Sequence, residues 1–451
     1  MKKIITSLII ISIILLPLFT YNAYADNEYI KVKIASKNAS ESTVLYSDIG
    51  FYLYDNYDLG REIDEIRENT IIIEVNDDDI DILDKSNNYI TSIPGDGSIV
   101  IGTCDYYDSI IKVDQNRYRD YITFLVRGEI YHTINYINME KYLYGVVPRE
   151  MGSNFPLEAL KAQAVVARSF AYANINKHIG EGFNLCNTTD CQVYGGFDNE
   201  KESTTQAVIE TFGEFVTYNG DIIETPYHST SGGYTESSKN IWGGNLPYLV
   251  ATEDSFSLNS PNSSWFYEIS AAELQTKLAS AGINVGELQD ITLLDTTESN
   301  RVQNIKIKGT SGEKIISGNQ FRNIIGATSL KSTLFSVNKN GNQGSSKVYV
   351  IDGNSFYPET IDINSAYIID GTEYKGVNRG TVSRAISNDR TSSIGSTYSS
   401  KPLSFGFDGK GYGHGFGMSQ YGAMEMAKQG YNYEEIIKHY YRGVEITNTG
   451  K

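Results

Sequence analysis

Between Pro156 and Ala173 the chain places alanine at 159, 162, 164, 167, 171 and 173. This run constrains the fold more than any other stretch. Proline suits the first helical position and Glu158 falls in the acid-favouring first turn, so a helix is expected to start at Asn154–Pro156. Alanine is the strongest helix former and carries almost no bulk, so other elements can approach this helix closely. Two charges interrupt its apolar context. Arg168 stands among Ala164, Ala167 and Ala171, where a guanidinium is costly to bury without a partner. Upstream, in "VVPREM", Glu150 is flanked by Val146, Val147, Pro148, Met151 and, further on, Phe155. A glutamate in such a setting resists ionisation and can keep a proton to donate. The adjacent Arg149 and the positive end of the following helix would work against this.

From Tyr29 to about Asp114 the pattern changes to short alternating runs such as "IKVKIAS", "FYLYD" and "IIIEV", broken by Asn, Asp and Gly, which reads as a β-rich module over 26–115. Strands around Thr123–Val126 and His132–Tyr136 precede a short helix near Met139–Tyr144. Glu202–Phe212 reads as a further helix, and Asn219-Gly220 as the turn of a hairpin. Ser270 with Glu273 forms a capping box for a helix stopped by Gly282. The spans Asn338–Lys347 and Ser383–Lys401 are rich in Ser, Asn and Gly and read as linkers around a few inserted strands over 338–403. Regular patterning returns over 404–451, with one helix bracketed by Ser419 and Gly430 and another opened by Asn432 and Glu435. The fold class expected is α+β: a β-rich N-terminal module, a mixed helix/strand domain over 116–337 completed by 404–451, and a β-rich insertion.

The first 25 residues read as an export signal: Lys2 and Lys3, an apolar stretch from Ile4 to about Phe19, then Ala23-Tyr24-Ala25 as a cleavage site. The alternative is an uncleaved anchor. The formal charge of −17 becomes −19 without Lys2 and Lys3. That balance argues against nucleic acid as a partner, and against holding an anionic surface by bulk charge. Three cysteines, an odd number, do not make a disulfide scaffold. Cys186 and Cys191 could be a bridge, a metal half-site or separate thiols; an exported location favours the bridge, and zinc would also need other ligands, of which His178 is the nearest histidine. Cys104 stands alone.

"GYGHGFGMSQYGA", Gly411–Ala423, sets glycines around His414, which implies tight turns or close approach by a ligand with the histidine as polar head. No strand and helix frame it as a nucleotide fingerprint. Ser419 there suits a helix cap. "YHSTSGG", Tyr227–Gly233, offers His228, Ser229 and Ser231 to a serine-hydrolase reading, but it lacks the G-x-S-x-G elbow.

Taken in order, "YLYGVVPREM", "PLEALKAQAVVARSFA", "CQVYGG", "YHSTSGGYTESSKNIWGG", "YLVATED" and "GYGHGFGMSQYGAMEMAKQGYNYEEIIKHYYRG" resemble the SpoIID/LytB family of sporulation proteins and amidase enhancers. The resemblance covers roughly Tyr118–Arg322 and Phe405–Glu445. It implies a cell-wall role with peptidoglycan glycan strands as partner. Its sporulation branch implies a lytic transglycosylase acting on strands stripped of stem peptides, and its other branch implies a non-catalytic enhancer of a wall amidase. The family's catalytic glutamate falls on Glu150, and the arginine of its A-R-S-[FY]-A motif on Arg168, as an expected partner of Glu150 or of substrate. Arg149, His228, Ser229, Ser231, Tyr412, His414, Ser419 and Gln420 are the candidate substrate-binding residues in the shared motifs. Clostridial members resemble zinc proteins at the cysteine segment, which makes Cys186, Cys191 and His178 candidate ligands of a structural zinc. A transglycosylase needs no resident cofactor for catalysis, and one carboxylate suffices, because the muramic C6 hydroxyl of the substrate itself is the nucleophile.

Overall fold

The computed structural model describes residues 29–103, 109–340 and 402–448, together with the backbone of six short strands between 347 and 394. The export-type stretch and Cys104 lie outside the described residues. The architecture is α+β.

Alternation of apolar residues builds the N-terminal sheets. In Thr70–Asn76 and Asp79–Asp84 the buried positions are Ile71, Ile73, Ile80 and Ile82, every second residue of each strand. They belong to a six-stranded sheet that faces a seven-stranded one across a common core. The strand Tyr29–Asn38 lies inside the larger sheet, antiparallel to Ile130–Asn138 and parallel to Leu185–Cys186. The β-rich start of the chain is thus built into the same sheet as the strands that lead to the helices.

Helix α1 (Met139–Glu150) is opened by Asn138, whose side chain accepts the Glu140 and Lys141 amides. Gly145 and Pro148 fall within it, so it runs well past the expected end at Tyr144. Gly145 is needed for packing, since a Cβ there would lie 2.6 Å from the Tyr194 ring. Pro148 removes one intrahelical hydrogen bond in the last turn, where the helix can still close through the Met151 amide to the Val147 carbonyl.

Helix α2 (Leu157–Ala173) is apolar on nearly all sides, as a helix between two cores must be. Ala164, Ala167 and Ala171 pack into the N-terminal core, while Ala159, Ala162, Val165 and Val166 pack into a second core with Met418, Ile436 and Tyr440. Helix α3 (Glu202–Glu210) leans on the same helix. Asn219 and Gly220 turn the expected hairpin with φ of 53° and 90°.

A third core surrounds Trp265, Phe321 and Phe407, where two three-stranded sheets meet helices at Ala271–Ser280 and Gly318–Ile325. Phe335–Asn340 and Ser404–Gly409 pair with each other in one of these sheets, so the insertion leaves and returns between two adjacent strands. Within it, Ser383–Ser387 pairs with Arg390–Ile394, a correction to the linker expected over Ser383–Lys401. Ile386 faces Thr391 in that register, and β-branched residues suit paired strands even in a serine-rich setting. From Gly409 the chain runs back to the second core, where Met418–Ser419 pairs in parallel with Tyr227–His228.

Candidate active site

Glu150 is the last residue of α1, not the first turn of α2. This reverses the electrostatics expected from sequence, because the carboxyl end of a helix carries partial negative charge and disfavours a second one. One carboxylate oxygen accepts the Val193 amide at 2.9 Å. Burial raises the Glu150 pKa above its ordinary value, and the Val193 amide, the Tyr227 hydroxyl and Arg149 only partly offset it. The Tyr227 hydroxyl in turn accepts from the Gln192 amide at 3.0 Å, while Gln192 also donates to the Ala167 carbonyl of α2 and accepts from Tyr142. The result is a carboxyl group held by α1, the 191–193 segment and the Tyr227 strand together.

Glu150 opens into a cleft of about 370 Å³ that is also lined by Tyr227, His414, Phe416, Asn174, Lys177, Asp190 and Glu224. His414 is the one member of the expected substrate-binding set in this lining. Its Nδ1 accepts the Phe416 amide, so the ring is neutral with its proton on Nε2. Burial pulls its pKa to about 4, against a raising hydrogen bond to the Tyr227 carbonyl. A glycine on either side carries the bend: Gly413 and Gly415 have φ of 118° and 91°, and a Cβ on Gly415 would sit 2.3 Å from Cζ of the buried Arg301.

The other expected residues have other places. Arg168 is fully buried and pairs with Glu140 through two 2.7 Å bonds, with further bonds to the Glu214 and Val208 carbonyls. The buried arginine finds its partner on the first turn of α1, not in Glu150 at its far end. Arg149 points outward to Asn199. His228 is buried behind His414, with its Nδ1 on the Phe416 carbonyl and ring centroids 5.4 Å apart. Ser231 is buried and donates to Asp254 at 2.7 Å, and Ser229 uses its carbonyl for the Tyr421 amide. Neither serine has a histidine partner among the described residues, so the serine-hydrolase reading has no base to activate it. Tyr412 and Thr230 exchange backbone hydrogen bonds. Ser419 caps the helix that begins at Gln420, as expected, and Gln420 reaches Gln163 on α2. Tyr227, Gln192 and the Val193 amide were not anticipated, although "CQVYGG" and "YHSTSGG" contain them.

Beside the cleft, Cys186 and Cys191 are free thiols, so the bridge favoured by an exported location is not formed. The donor atoms of His178, Cys186, Asp190 and Cys191 all lie within 4.8 Å of one another. A short turn at Ile179–Glu181 folds His178 back over Phe183, closing the eight-residue gap in sequence. His178 Nδ1 is held by Glu181 at 2.7 Å, while its buried Nε2 has no hydrogen-bond partner and lies 3.2 Å from Asp190. Burial pushes the Cys191 thiol up to about 11; at Cys186 burial acts the same way but hydrogen bonds from Thr188 outweigh it. Two sulfurs, one ring nitrogen oriented by a carboxylate and one carboxylate oxygen fit a tetrahedral zinc site.

Residues 113–218 match the family described as SpoIID, stage II sporulation protein. The chain carries a SpoIID-family domain over these residues. Residues 245–356 match a second family, described as a domain of unknown function, DUF8618. The chain is 32% identical to the amidase enhancer of Bacillus subtilis over 68% of its own length, and spans 40% of that protein. It is 28% identical to stage II sporulation protein D of the same organism, over 70% of this chain and 78% of the relative. An uncharacterized protein of Brachyspira hyodysenteriae is 29% identical over 76% and 73% of the two chains. Within this chain the SpoIID match ends at the Asn219-Gly220 turn, so Glu150 and Val193 fall inside it while Tyr227 and His414 lie beyond it.

Proposed function

We propose that the protein is a peptidoglycan lytic transglycosylase that cuts glycan strands lacking stem peptides, with Glu150 as acid and then base. The observation that carries this reading is a single carboxyl group in a cleft whose burial and helix-end position favour its protonated form. The other cleft carboxylates are engaged elsewhere, Asp190 with Lys177 and His178, and Glu224 with Asn174. Protonated Glu150 gives its proton to the glycosidic oxygen as the bond to the muramic C1 breaks. The same carboxylate then takes the proton of that sugar's C6 hydroxyl as its oxygen closes on C1, leaving a 1,6-anhydromuramyl end and a restored acid. Water is not consumed, so no second carboxylate is required to activate it. The Val193 amide and Tyr227 hydroxyl orient the carboxyl group, and neutral His414 forms the facing wall.

In this reading zinc is structural and would be held by His178, Cys186, Asp190 and Cys191. When bound, it supplies a closed four-ligand tie. The chain's own contribution is that Gln192 and Val193, next to Cys191, are the residues that touch Tyr227 and Glu150. The N-terminal export pattern supports an activity outside the cytoplasmic membrane, in wall remodelling of the kind sporulation requires. Among the described residues no helix is long and apolar enough to cross a membrane. Incubating wild type and Glu150→Gln with peptide-free strands, and reading products by mass spectrometry, tests the assignment: anhydromuramyl ends from wild type only support it.

A second reading is favoured by the amidase enhancer among the relatives: the same cleft binds glycan without cutting it and stimulates a partner amidase. It predicts no product from either form, with stimulation of the amidase by both.

A further inference from the structure

Among the described residues a second cleft is larger than the one at Glu150. It measures about 650 Å³ and is lined mainly by residues of the DUF8618 match, with Gly232, Gly233, Tyr234 and Asp408, Gly409, Lys410 contributed from outside it. Its wall carries Leu258 and Tyr234, which are 47% and 40% exposed, and Trp265 and Phe335, which are buried at its back. Exposed Lys410 and Glu253 stand on its rim, and neither makes an ion pair among the described residues. Apolar rings beside hydroxyl-seeking charged groups suit a sugar, which has a flat C–H face and a polar edge.

The two clefts are joined by the chain itself. Tyr227 and Phe416 line the smaller one, and the segments they start or end, Tyr227–Tyr234 and Gly409–Phe416, reach the larger one at Tyr234 and Gly409. Midway they exchange backbone hydrogen bonds between Thr230 and Tyr412. Tyr227 and Tyr234 are seven residues apart, so the clefts are separated by at most about 23 Å at ~3.3 Å per residue. Arg301 ties the pair together: fully buried, it donates to the Ser231 and Tyr234 carbonyls, and its guanidinium packs under Gly415 next to His414. Glycine at 232, 233 and 409 keeps the floor low, since a Cβ on Gly409 would lie 2.1 Å from the Trp265 ring.

We propose that this second cleft is a distal subsite for the same glycan strand, several sugars from the reacting bond. It stacks a ring on Tyr234 and Leu258, with Lys410 facing the lactyl carboxylate of a muramic residue. This rests on the glycan substrate proposed above; the backbone continuity between the two clefts favours one strand that reaches both over a separate peptide ligand.

The test measures affinity, without turnover, in Glu150→Gln full-length protein, using peptide-free strands of four and of eight or more sugars. Tyr234→Ala with Leu258→Ser, both at exposed positions, is expected to weaken long-strand binding about fivefold or more, the loss of a ring contact, and to leave the four-sugar strand unchanged. A Lys410→Ala variant, which shortens an exposed side chain, is expected to show the same length dependence. Equal affinities for all strands in parent and variants overturn the proposal, as does a stem tetrapeptide that displaces bound dye from this cleft where glycan does not. If wild type yields no anhydro ends but the length-dependent loss is seen, the enzyme reading falls and the subsite stands. If wild type cleaves strands but the variants bind like their parent, the subsite falls and the enzyme stands.

Discussion

Glu150 and Arg168 are charges of opposite consequence. Glu150 is held in a state that favours its proton, and the sign of the linkage follows. Its folded pKa lies above the unfolded value, so its contribution to stability is full at low pH and is lost as pH rises from about 4.5, the ordinary value, through the raised one. Glu150→Gln is therefore expected to raise the melting temperature at pH 7 while leaving it nearly unchanged at pH 4, which calorimetry at the two pH values would check. The rate of strand cleavage should fall on the alkaline side as Glu150 loses its proton, with a midpoint above 4.5 in a pH–rate profile. Arg168 is the reverse case, a buried cation satisfied by Glu140, whose removal strands an uncompensated carboxylate. Arg168→Ala is expected to cost about 3–5 kcal/mol in denaturant unfolding, while replacing both partners with apolar residues of similar volume costs much less. If Arg168→Ala left stability intact and abolished only turnover, the structural assignment of this residue would be wrong.

At the scale of the element, α2 was readable from its own residues. Alanines that promise close approach do meet two cores, and Ala167→Leu is expected to lose about 1–3 kcal/mol by overpacking, measurable as a lower denaturant midpoint at unchanged slope. The hairpin at Asn219-Gly220 and the capped helices were legible for the same reason: their signals are local. The end of α1 was not. The helix expected near Met139–Tyr144 runs on through Gly145 and Pro148, residues that local propensity disfavours inside a helix, and only the Tyr194 ring, from a segment distant in sequence, shows why glycine is wanted there. The site divides likewise. Glu150 and His414 could be picked out as polar groups in unusual settings, but the Gln192–Tyr227 and Val193–Glu150 contacts join residues 35 and 43 apart, which no local pattern reveals. Arg168 misled because a buried arginine announces a partner without saying which acid it is.

Across the whole molecule, two cores meet at the segments around Glu150, Val146 and Val147 in one and Met151 in the other, and the thiol cluster belongs to the first. Metal analysis of the purified protein is expected to find one zinc per chain, with chelation or Cys191→Ser lowering the melting temperature; a chain with no bound metal and an unchanged melting temperature would remove zinc from the account. The most direct measurement concerns the nucleophile. Peptide-free glycan strands would be digested in water enriched in oxygen-18 and the new ends weighed by mass spectrometry. The account predicts 1,6-anhydromuramyl ends carrying no heavy oxygen from wild type, and none of them from Glu150→Gln. Reducing ends that each carry one heavy oxygen would show that water attacks, and would contradict a single carboxylate working on the substrate's own hydroxyl.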